Sequence, residues 1–129
     1  MTILIGYVPT VVGEAALTAG LEEASAHGDD VVIVNSPRRG ATVDADLVDE
    51  TATAELVARA RAAGVTARVD HGDHQGDIVS AFEALVRSTD ARMIVIGMRR
   101  RSPVGKLVMG SEAQRILLEA SVPVLAVKS

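Results

Sequence analysis

Apolar residues along this chain recur at two spacings, and their succession predicts strands and helices in strict alternation. Ile3 to Tyr7 is a short run rich in β-branched residues that stops before Pro9, and it reads as a first strand. From Val11 to His27, Leu17, Leu21 and Ala24 share one helical face while Glu22 and Glu23 lie off it. Gly28 is placed to close that helix as a C-cap, and His27 in the last turn complements the helix dipole. Val31 to Val34 is continuously apolar, the pattern of a strand covered on both faces. Asp44 is placed to cap a second helix, with Val43 and Val48 as a hydrophobic staple. Val48, Ala52, Leu56 and Ala60 carry its apolar face to Ala63, and Gly64 stops it.

The second half of the chain repeats the scheme. Val65 to Val69 alternates apolar and polar residues, as a third strand should. Ile78, Phe82, Leu85 and Val86 define one face of a third helix. Met93 to Ile96 reads as a fourth strand. Over Ser111 to Ala120 a fourth helix presents Ala113, Ile116, Leu117 and Ala120, and Val122 to Lys128 is a last strand. The order β-α-β-α-β-α-β-α-β with short links, joined by right-handed crossovers, predicts a single doubly wound α/β domain over residues 1–129. Its sheet is parallel and five-stranded, with helices on both faces. No repeat, linker or low-complexity segment interrupts it.

Composition narrows the chemistry. With one Phe, one Tyr and no Trp, the core is built from Val, Leu, Ile and Ala, and the aromatic platforms that stack single-stranded nucleic acid are missing. A net charge of −4 argues against general binding to a phosphate backbone. The absence of cysteine excludes disulfides, thiolate catalysis and Cys-type zinc sites. The amino-terminal run has no basic flank and soon reaches Pro9, and no apolar run approaches the ~18 residues a membrane helix needs. The expectation is a cytoplasmic protein that binds neither membrane nor nucleic acid.

Positive charge is concentrated between the fourth strand and the fourth helix. The stretch from Gly97 to Ser111 holds Arg99, Arg100, Arg101 and Lys106, with Gly105 and Gly110. In a parallel α/β sheet such a loop lies at the carboxyl ends of the strands, where these folds bind ligands. The free N–H groups at the start of the next helix favour an anion there. Ser111-Glu112-Ala113-Gln114 has the pattern of a capping box, so Ser111 is either a helix cap or a phosphate ligand. The loop is neither a Walker A motif nor Gly-x-Gly-x-x-Gly. Asp70, His71, Asp73 and His74 form a second polar cluster. His71 and His74 have a chelating spacing, but the flanking glycines fit a solvated loop better, and no metal is expected. No nucleophile–base constellation or nucleophile elbow is visible, so any hydrolysis would be slow.

At this loop the sequence resembles the universal stress protein family, whose motif is Gly-x2-Gly-x9-Gly-Ser/Thr. Gly97, Arg100, Gly110 and Ser111 keep the spacing. The closing run Ser121 to Lys128 and the opening run Ile3 to Tyr7 are similar as well. The resemblance implies a strand order of 3-2-1-4-5 and a stress-response regulatory protein that holds ATP or a related adenine nucleotide at the fourth-strand loop. It also implies a homodimer formed by antiparallel pairing of the Val122–Val127 edge with its copy. Two positions depart from the pattern. Arg100 stands where the second glycine belongs, and Val8 stands where an acidic nucleotide contact usually follows the first strand. Of the family's contacts, Gly97, Gly110 and Ser111 carry over and Val8 and Arg100 do not, while Arg99, Arg101 and Lys106 supply compensating charge. Arg100 either fills the phosphate site or grips phosphate bidentately. The other reading is a family member without nucleotide that acts as a dimeric interaction protein.

Overall fold

The computed structural model describes residues 1–35, 48–71, 77–98 and 111–129. In chain order they form β1 (Thr2–Gly6), α1 (Val11–His27), β2 (Asp30–Val34), α2 (Glu50–Ala62), β3 (Ala67–Asp70), α3 (Ile78–Thr89), β4 (Ala91–Met98), α4 (Ser111–Glu119) and β5 (Val124–Lys128). The strands make one sheet in the order β3-β2-β1-β4-β5, every neighbouring pair parallel, as the resemblance implied.

Side chains alternate across each strand, and that alternation sorts the central strands into two cores. Ile3, Ile5, Val31, Ile33 and Val95 pack with Ala16, Leu17 and Leu21 of α1 and with Leu56 and Ala60 of α2. Leu4, Val32, Val34, Ile94 and Ile96 face the other way, against Phe82 and Leu85 of α3 and Ile116 of α4. Strands covered on both faces need apolar residues at every position, which is why β1 and β2 read as unbroken runs. Gly28 is left-handed and closes α1, as its placement predicted.

Three local expectations need correction. The N-cap of α2 is Asp49, whose carboxylate accepts from the Ala52 N–H at 2.8 Å. Val48 therefore precedes the helix, and its own N–H is taken by the Asn35 side chain at 2.9 Å. Asp44 and Val43 lie outside the described residues. Leu117 is exposed rather than part of the buried face of α4, because Ile116 takes the core position beside it. Ser111 is the first residue of α4. At the last strand, Ser121 to Pro123 precede the pairing, and the Pro123 carbonyl accepts from the Ile94 N–H at 3.0 Å. Among the described residues no helix is long and apolar enough to cross a membrane.

Candidate functional site

Strand order reverses at β1, because β2 leaves it on one side and β4 lies on the other. A crevice opens at the carboxyl ends of strands at such a point. Here it is a cleft of about 160 Å³. Gly6, Tyr7 and Val8 line it from the end of β1, Val12 and Gly13 from the start of α1, and Val34 from β2. Ile78 and Phe82 of α3, Ile96 and Gly97 of β4, and Glu112, Ala113 and Ile116 of α4 complete it.

The start of α1 is seated on the strand ends by close backbone approach. Thr10 caps the helix, its hydroxyl accepting from the Gly13 N–H at 3.2 Å. A methyl group added at Gly13 would overlap the Val8 carbonyl, and one added at Gly97 would overlap the Val12 carbonyl. Gly97 thus has a packing reason to be glycine, independent of any ligand. Behind the cleft, Asn35 is wholly buried, at 0% exposure, and joins three strand ends. Its amide donates to the Tyr7 carbonyl at 3.0 Å, its side-chain oxygen accepts from Val48, and its backbone N–H donates to the Asp70 carbonyl at 2.9 Å.

Charge near the cleft is mostly paired. The Tyr7 hydroxyl donates to Glu14 at 2.6 Å, and Arg59 of α2 donates two bonds to the same carboxylate at 3.2 and 2.7 Å. Burial, reinforced by the adjacent carboxylate, pushes the Tyr7 phenol up to about 12. Hydrogen bonding from Arg59 holds Glu14 below the usual carboxylate range. Asp77 caps α3 by accepting from the Val79 N–H at 3.2 Å and the Ser80 hydroxyl at 2.8 Å, and it pairs with Arg115 of α4 at 3.2 Å. Further along, Glu83 of α3 accepts from both the N–H and the hydroxyl of Ser121, at 3.0 and 2.8 Å. These contacts tie the middle of α4, and the chain just beyond it, to α3.

The described part of the predicted site converges. Val8 and Gly97 both line the cleft, and Ser111 opens the helix whose next residues, Glu112 and Ala113, line it too. Arg99, Arg100, Arg101, Lys106 and Gly110 lie outside the described residues, as do Asp73 and His74. Among the described residues no three His, Cys, Asp or Glu side chains gather where they could hold a metal ion. Sequence reasoning missed Asn35, Tyr7, Glu14 and Arg59, because a lone Asn after a strand and an ion pair 45 residues apart leave no periodic signal. It passed over Glu112 as an interior member of the capping pattern. What the arrangement offers is an apolar slot, walled by Val8, Val12, Ile78 and Phe82, that opens toward the amino end of α4.

Residues 1–128 match the model of the universal stress protein family. A universal stress protein of Mycolicibacterium smegmatis is 39% identical, with 98% of this chain and 96% of that protein covered. The structure of a universal stress protein from Archaeoglobus fulgidus superimposes with a TM-score of 0.83 at 30% identity, covering 99% of this chain and 98% of its own. The structure of a universal stress protein from Archaeoglobus fulgidus in complex with dAMP gives a TM-score of 0.74 at 24% identity, over 99% of this chain and 98% of that one.

Proposed function

This chain belongs to the universal stress protein family, and from that premise we propose that it binds an adenine nucleotide in the cleft between the ends of β1 and β4. The observation that carries the reading is the cleft itself. It lies at the point where strand order reverses, has apolar walls suited to a base, and adjoins the amino end of α4, where free N–H groups favour phosphate. The dAMP bound by an Archaeoglobus fulgidus universal stress protein of the same fold, 24% identical to this chain, supports the ligand class.

In this reading the base lies toward β1 and β2, and the phosphates lie toward the loop that leads into α4. Gly97, Gly110 and Ser111 give backbone and hydroxyl contacts, and Arg99, Arg100, Arg101 and Lys106 offset the phosphate charge. ATP is within this class, and the role is regulatory, in the response to stress. Val8 contributes apolar contact in place of an acidic one. Mass spectrometry of small molecules released from the denatured protein should find an adenine nucleotide, and calorimetry with ATP, ADP and AMP should find binding. Arg100→Gly separates the two roles of that side chain. Tighter binding means that Arg100 fills the phosphate site, and weaker binding means that it grips the phosphate. Binding of none of the three at millimolar concentration would overturn the reading.

A second reading rests on a different observation. β5 is an edge strand with Leu125 exposed, and uncovered apolar edges are a hazard that proteins cover. Antiparallel pairing of the Val122–Val127 edge with its copy would cover it in an isologous homodimer. A chain without nucleotide would then act through that dimer and its contacts with other proteins.

A further inference from the structure

Glu112 is the one charged side chain among the described residues that line the cleft. Tyr7, the other side chain there with a polar group, already has its hydroxyl on Glu14. Glu14 and Asp77, on or beside elements that also form the cleft, are each paired with an arginine. Glu112 is exposed, and no hydrogen bond or ion pair joins it to any described residue. It is also the second residue of α4, so its carboxylate sits in the first turn, where the helix dipole favours negative charge. That is the electrostatic position a phosphate would use.

We propose that Glu112 is a charge filter that weakens ATP in this cleft more than it weakens adenine nucleotides with one phosphate. The proposal rests on the nucleotide reading above and adds to it a specificity-determining residue. Glu112 repels phosphate, and the repulsion grows with each phosphate added, because each brings further negative charge to the amino end of α4. One unit charge about 4 Å from another in water changes affinity about fivefold, and more where water is partly excluded. The penalty that Glu112 adds for ATP over AMP is therefore large enough to measure.

The test is calorimetry on the full chain with AMP, ADP and ATP in the presence of a chelator, at low and high salt. The proteins are the wild type, Glu112→Gln and Glu112→Asp. Gln keeps the shape and removes the charge, and a melting curve checks that the fold is intact. The expected result is that Glu112→Gln tightens ATP about five- to tenfold and AMP about twofold or less. High salt should shrink that difference, and Glu112→Asp should keep the wild-type ranking. An equal change for AMP and ATP, or no change, overturns the filter while leaving nucleotide binding intact. So does a loss of ATP affinity in Glu112→Gln that appears only when magnesium is added, which would make Glu112 a metal-holding group. Failure of all three nucleotides to bind any of the proteins overturns both proposals.

Discussion

Removing the Asn35 side chain should be among the most damaging small changes in this domain. Asn35→Ala leaves two groups without their partner, the Tyr7 carbonyl and the Val48 N–H. Asn35 is wholly buried and Val48 nearly so, which limits replacement by water. A buried polar group left unsatisfied costs about 1–3 kcal/mol, so the loss should be about 2–5 kcal/mol. For a domain of this size that lowers the melting temperature by about 3–5 °C for each kcal/mol. Asn35→Asp sharpens the test. Its carboxylate can still accept from Val48, but it sets a negative charge against the Tyr7 carbonyl in a buried place. Both effects raise the folded-state pKa of the new carboxyl above its unfolded value of about 3.9. The Asp variant should therefore be least impaired below that unfolded value, where the protonated carboxyl can donate to Tyr7. Its extra destabilisation should grow as pH rises toward the folded pKa. Urea unfolding followed by circular dichroism from pH 4 to 8, with wild type as reference, measures this. A loss under about 1 kcal/mol in Asn35→Ala, or an Asp variant whose deficit does not depend on pH, would refute the role given to Asn35.

Other outcomes follow from the contacts around it. Gly97→Ala should destabilise by about 2–4 kcal/mol in thermal melts, since the new methyl group meets the Val12 carbonyl; a neutral result would mean that α1 is not seated as described. The chain has a single tyrosine, so absorbance near 295 nm titrates Tyr7 alone, and the midpoint should lie near 12 rather than 10. Because the folded value is the higher one, the associated stability is fully present below pH 10 and is lost as pH rises toward 12. Val124→Asp should shift light scattering at micromolar concentration from dimer toward monomer, and a wild type that is already monomeric would count against the β5 pairing.

Much of the fold was legible because its signals are local. The unbroken apolar runs of β1 and β2 follow from burial on both faces, and Gly28 announces the end of α1 by its position after a helical pattern. Strand order was not legible from periodicity, and the resemblance carried it. The cap of α2 was misplaced because Asp44, Asp46 and Asp49 are all competent caps. What selects Asp49 is Asn35 holding the Val48 N–H from 13 residues away, a contact that no window of sequence contains. Leu117 follows Ile116 by one residue and fits the same broad stripe, so only the packing on α3 separates them. For the site, Val8 and Gly97 were found through a motif, while Glu112 was visible as a residue but carried no sign of facing the cleft.

The seat of α1 also bears on how such a cleft can change over generations. At Gly13 and Gly97 the helix and the strand ends meet closely at the Val8 and Val12 carbonyls. Neither glycine can take a side chain without disturbing the fold, so on that wall only Val8 and Val12 can change singly. The opposite wall is made of ordinary side chains from α3 and α4, each replaceable separately. Divergence in ligand preference among proteins with this seat should therefore accumulate on the α3 and α4 side, and a designer seeking a new ligand would begin there.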